Sequence, residues 1–245
     1  MDSNPMNSAG CLPAKELKRR ARAILTGHYM VPMSAFALSQ MIVMLINFPF
    51  ELSLQKNPSV FQMVTSGLAG FIISLLSNVL TGGMISIHLN MADGKTANLS
   101  DVFRYFNRRP DRFILSGLLL SGISLLSMLP AIALTIFSVL TDTLPAYSIA
   151  ALAWAVTLVL LFFIVYTYAL AGYLLVEFPE AGIIDVFRQS RHMMKGRKKN
   201  RFCLGLSFIG MYVLSVLSAG IGFLWVIPYR NQTFAEFYRN IQIEP

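Results

Sequence analysis

The chain has 245 residues, 55% of them hydrophobic and only 13% charged, with a formal net charge of +8. An ordinary soluble domain carries about 25% charged residues to keep its surface in water, so this composition excludes a soluble globular protein and points to lipid as the solvent. The positive balance does not imply nucleic acid, because Lys and Arg in a membrane protein collect in the loops that stay in the cytoplasm.

Residues 1–13 are polar and are expected to form a disordered tail, with 14–245 as a single integral membrane domain. Cys11 and Cys203 are far apart and match no metal or redox spacing, so no disulfide is expected. "SAGC" at 8–11 has no apolar segment before it, so it is not read as the end of a signal peptide. Residues 14–25, AKELKRRARAIL, place Leu17, Ala21, Ile24 and Leu25 on one face and five basic residues elsewhere. That pattern predicts a short basic amphipathic helix in the headgroup layer, ended by Gly27.

A first membrane helix is expected over 29–48, a loop over 49–59 and a second helix over about 60–91. Ser100 is the expected N-cap of "DVFRYFN", with Asp101 against the helix dipole and Val102, Phe103 and Phe106 on its apolar side. Pro110 ends that element, and membrane helices follow over about 112–140 and 146–176, segments almost free of charge and long enough to cross a bilayer. A third amphipathic helix comes after "EFPEAG". Pro179 is expected in its first turn, Ile184, Phe187 and Met194 on one face, and Gly196 just past its end.

The last segment admits two readings. Residues 202–227 form one helix, or "SAG" at 218–220 turns the chain between helices of about 200–217 and 221–241. The second reading puts 19 of the 20 basic residues on the inner side and leaves only Lys56 outside, which the positive-inside rule favours. The expected architecture is therefore an all-α, polytopic membrane helix bundle with about six transmembrane helices and three basic amphipathic interfacial helices. Its expected location is a bacterial plasma membrane, with both termini cytoplasmic.

"DVFR" occurs at 101–104 and again at 185–188, each time ahead of a basic stretch and "RF". The chain divides accordingly into three similar units, 14–91, 100–176 and 179–241. Duplication gives such a pattern, and so does convergence, because any hairpin entering from the cytoplasm benefits from a basic lead-in.

Four stretches carry a family resemblance: "SRHMMKG" (190–196), "RFCLGLSFIG" (201–210), "AGIGFLWVIPY" (219–229) and "TFAEFYRN" (233–240). With "LKRRARAILTGHY" (17–29), they make the chain similar to the bacterial integral membrane family catalogued as domain of unknown function 975. The middle departs from that pattern: "LVLLFFIV" precedes "YTY" where the family has Pro-Gly. The resemblance implies a membrane fold and supplies no catalytic residues.

Polar residues within membrane helices mark the places to look for function. Ser74, Asn78, Thr81 and His88 share one face of the second helix, and Tyr166, Tyr173 and Glu177 one face of the fourth. Two readings stay open for these stripes: the lining of a polar pathway, or hydrogen bonding between helices. No phosphate loop, nucleophile elbow or metal-ligand spacing is present, so no catalytic residue, metal or cofactor is expected and the protein is read as non-enzymatic. Arg104, Arg188, Arg191 and Lys195 are the expected contacts for anionic headgroups or a membrane protein partner. A lipid-binding or organising protein is thus the leading expectation, and a small-molecule or lipid transporter the alternative.

Overall fold

The computed structural model describes residues 12–54 and 57–243. The tail to residue 11, with Cys11, and also Lys56 lie outside the described residues. Among those described, the chain is all-α, a membrane-type helix bundle without strands. α1 (Ala14–Leu25) leads into α2 (Met30–Ser53) through a turn at Gly27, where φ is +82°. α3 (Val60–Ala92) opens with a capping box, in which the Ser59 hydroxyl accepts from the Gln62 amide and the Gln62 side chain accepts from the Ser59 amide. A 3-10 turn (Leu99–Phe103) and α4 (Arg104–Asn107) follow. α5 (Pro110–Thr141) begins with its proline at the first helical position, after a left-handed Arg109.

α6 (Leu144–Thr167) and α7 (Ala171–Glu177) occupy the expected fourth helix, α8 (Ile183–Met193) the third amphipathic one. α9 (Lys198–Leu206), α10 (Ile209–Leu217) and α11 (Phe223–Ile243) complete the chain. The turn at "SAG" is present, with Ala219 and Gly220 both at positive φ.

Five segments are long and apolar enough to cross a membrane: α2, α3, α5, α6–α7 together and α9–α10 together. The expected sixth, α11, is a helix but does not qualify. It carries Arg230, Asn231, Gln232, Thr233, Glu236 and Arg239, and α1, α2, α3 and α10 cover it. Much of α5 and α6 instead turns Leu, Ile, Val and Phe outward, Leu152 being 66% exposed, which suits contact with hydrocarbon.

Two expected helices are interrupted, and residues from elsewhere satisfy the gaps. Between α6 and α7, the Ser190 hydroxyl of α8 donates to the Thr167 carbonyl at 3.1 Å and accepts from the Leu170 amide at 3.3 Å. Between α9 and α10, the Lys18 ammonium donates to the Ser207 carbonyl at 2.7 Å and lies 4.1 Å from the Phe208 ring centroid. Backbone groups freed at membrane depth must find such partners.

Several local expectations are corrected. α2 runs through Pro49 to Ser53, where a loop was expected. Asn98, and not Ser100, caps the 3-10 turn, because Asp101 accepts from the Asn98 amide and completes a box with it. Of the apolar residues in the two "DVFR" segments, Val102, Val186 and Phe187 pack inward, whereas Phe103 is exposed. The first copy is a 3-10 turn and the second lies inside an α-helix, so the shared letters do not specify a shared conformation. In α8 the buried face is Val186, Phe187 and Ser190; Ile184 is exposed and Gly182, not Pro179, precedes the first turn.

The 3-10 turn is pressed against α3 at Gly83, where a Cβ would lie 2.1 Å from the Val102 carbonyl oxygen. Gly83→Ala should therefore cost about 1–3 kcal/mol through overpacking. Gly70→Ala, in the same helix with open space around it, should leave the thermal midpoint of the detergent-solubilised protein unchanged or slightly higher.

Candidate functional site

The polar centre of the molecule is built on α11. Arg239 donates from Nη1 to Glu177 of α7 at 2.6 Å and from Nη2 to Asp93, at the end of α3, at 2.8 Å. Gln242 Nε2 donates to the other Glu177 oxygen at 2.6 Å, and the Tyr238 hydroxyl donates to that oxygen as well. Tyr238 stacks on Tyr173 with ring centroids 5.0 Å apart. About two turns earlier in α11, Gln232 exchanges two hydrogen bonds with His88: its Nε2 donates to the His88 carbonyl at 3.2 Å, and its Oε1 lies 2.9 Å from Nδ1. With the amide in this orientation, Nδ1 carries the histidine proton.

α11 has this face because its polar residues recur at helical spacing, 232, 236, 239 and 242. Three helices that share no sequence neighbourhood meet on it. Burial pushes the Glu236 carboxyl above the usual carboxylate range, with Arg20 and Arg239 pulling the other way. Burial also raises the Tyr238 phenol, and the Glu177 charge beside it raises it further.

This arrangement divides the two predicted stripes. His88, Tyr173 and Glu177 each contact α11, at Gln232, Tyr238 and Arg239 respectively. The Ser74 and Thr81 hydroxyls are exposed and bond back to the Phe71 and Ser77 carbonyls of their own helix. Asn78 donates to the Ser74 carbonyl and packs over Gly117 of α5. Tyr166 belongs to an aromatic group with Phe162 and Phe202. The stripes therefore do not face each other across a shared space.

Of the expected headgroup contacts, Arg104 is committed to the fold: it pairs with Asp101 at 3.0 Å and donates to the Ser86 hydroxyl at 3.3 Å. Arg188 makes an exposed pair with Asp185 at 3.3 Å. Arg191 and Lys195 are exposed, with no carboxylate partner among the described residues. Sequence reasoning missed Asp93, Gln232, Tyr238, Arg239 and Gln242. The signal available was the polarity of 230–242, which marks a helix enclosed by protein and not by lipid.

Two recesses lie on either side of the 3-10 turn. One, of about 560 Å³, is lined by Thr26, His28, Met91, Lys95 and Thr96 among others. The other, of about 340 Å³, is an apolar groove between α2 and α3 with Phe103 and Phe106 at one end. Among the described residues, no three His, Cys, Asp or Glu side chains gather closely enough to hold a metal ion.

A family model described as "Protein of unknown function (DUF975)" matches residues 11–244. No curated protein and no solved structure matches.

Two outcomes follow from the network. Arg239→Met should lose ~3 kcal/mol of stability, the scale for removing one partner of a largely buried ion pair, whereas Arg191→Met should be nearly neutral. The raised Glu236 carboxyl makes its stability contribution largest below the unfolded carboxylate pKa, and that contribution falls as pH rises through the folded value. Glu236→Gln should accordingly raise the thermal midpoint at pH 7 more than at pH 4; an equal or reversed effect would contradict the burial account.

Proposed function

From the chain's membership of the DUF975 family of proteins of unknown function, and from the arrangement of charge on its helices, we propose that it is a non-enzymatic integral membrane protein that binds or organises anionic lipid. The observation that carries this reading is the segregation of basic residues to one end of the bundle. The connections α2–α3, α5–α6 and α10–α11 contain no Lys or Arg among the described residues. Apart from Arg230, every described Lys and Arg lies in α1, in the α3–α5 connection with the start of α5, in α8, the α8–α9 connection and the start of α9, or near the end of α11. Contacts tie these segments together, as Arg109 to Glu180 at 2.9 Å and Arg239 to Asp93.

By the positive-inside rule that end is the cytoplasmic one, in a bacterial plasma membrane with both termini inside. Anionic lipid is drawn to such a surface at about 1 kcal/mol per basic residue. Arg191 and Lys195 are the most available charges, and Arg188 adds a third at the cost of an exposed pair worth little. The transport reading is disfavoured because His88 and Glu177 are each bonded to α11, and Ser74, Asn78 and Thr81 bond within their own helix.

Native mass spectrometry of the full chain, extracted gently from its own lipid, tests the proposal. Arg188→Gln, Arg191→Gln and Lys195→Gln combined should reduce retained anionic lipid several-fold at an unchanged thermal midpoint; unchanged retention would overturn it. In whole cells, Lys195→Cys should resist an impermeant outside thiol reagent, and rapid labelling would reverse the topology.

A further inference from the structure

A second basic feature lies within the bundle, apart from the exposed charges of α8. Arg201, one turn into α9, and Arg230, midway along α11, approach the same ring. Their guanidinium carbons are 4.5 and 5.1 Å from the centroid of Phe234, which is itself buried. Arg201 also lies 5.9 Å from the Phe237 ring, and Arg230 Nη1 donates to the Tyr212 hydroxyl at 3.0 Å. Among the described residues neither arginine forms a salt bridge, and the titratable groups acting on Arg201 are Arg230, Tyr173 and Tyr166, with no carboxylate among them. Nη1 of Arg201 is sealed from solvent without any hydrogen-bond partner.

Two like charges held together with an orphaned donor are expensive. Ring faces return part of the cost, roughly 0.5–2 kcal/mol for each well-placed cation. They cannot satisfy an N–H group or cancel the repulsion between the guanidiniums. Other enclosed cations have found an acid or a carbonyl: Arg239 holds Glu177 and Asp93, and Arg112 donates to the Phe178 and Pro179 carbonyls. An anion would complete the remaining pair. Paired guanidiniums with hydroxyls beside them match the several acceptor oxygens of a tetrahedral oxyanion. Both arginines keep part of their surface open.

We propose that Arg201 and Arg230, set against Phe234 with the Tyr173 and Tyr212 side chains nearby, form a binding site for a phosphate group. The same chemistry is offered by a phospholipid headgroup and by free phosphate, and the test separates these sources. The site is distinct from the α8 surface, and it stands whether or not that surface binds lipid.

The purified full chain in maltoside micelles is melted with chloride alone, with inorganic phosphate, or with added phosphatidylglycerol, and bound lipid is counted by native mass spectrometry. The midpoint should rise with phosphate or phospholipid in the wild type and in Lys15→Gln; in Arg201→Gln and Arg230→Gln the rise with inorganic phosphate should vanish and that with phospholipid should shrink. Arg201→Lys keeps the charge and loses the planar fork, so binding should weaken about tenfold or more, the scale of one charged hydrogen bond. A rise with inorganic phosphate supports a site for free phosphate; a rise with phospholipid only supports a headgroup site. No rise in the wild type, or an equal rise in the Arg201 and Arg230 variants, overturns the proposal. A rise abolished by Arg191→Gln and kept by Arg201→Gln also overturns it, since the anion would then belong to α8.

Discussion

The ion pair that most of this architecture depends on is Arg239 held between Glu177 and Asp93. Each of the three side chains is about three-quarters covered, so none can return to water without opening the bundle. The cost of desolvating them is offset only because the geometry is good and the remaining oxygens of Glu177 are taken by Tyr238 and Gln242. Once this network is formed, the ends of α3, α7 and α11 share one position. The register of α11 then brings Gln232 to His88 and Tyr238 to Tyr173 without further choice.

The same economy governs the breaks in the membrane helices. A helix that stops inside hydrocarbon exposes amide and carbonyl groups with no water to receive them. Here α8 and α1 supply the missing partners through Ser190 and Lys18. These short helices are thus parts of the fold in their own right, with buried faces against α11 and α7, and not only anchors on a lipid surface. Their outward faces keep the basic residues, so one element both completes a broken helix and presents charge.

Both proposed sites fall where this system of satisfied groups is incomplete. Most polar atoms at the basic end are spoken for, which is why Arg104 and Glu177, attractive as contacts by sequence, are structural in their actual bonding. Among the described residues, spare cationic capacity remains on the surface, at Arg191 and Lys195 among others, and within at the guanidiniums around Phe234.

The amino-acid sequence by itself determined that the chain lives in lipid, where most helices begin and turn, and that its charge gathers at one end. These follow from local composition and spacing: runs of apolar residues of spanning length, Gly27 and "SAG" at the turns, Pro110 at a helix start, and Lys and Arg crowded into alternate loops. Only the tertiary structure decided which polar residues belong together. Arg239 and Glu177 are 62 positions apart and His88 and Gln232 144, and no periodicity within one helix reports on a partner in another. Nor could spacing show that α6–α7 and α9–α10 are interrupted, since the groups that make those breaks tolerable come from Ser190 and Lys18. Whether α11 faces lipid or protein was undecided for the same reason: a helix is polar enough to be excluded from hydrocarbon only until others wrap it.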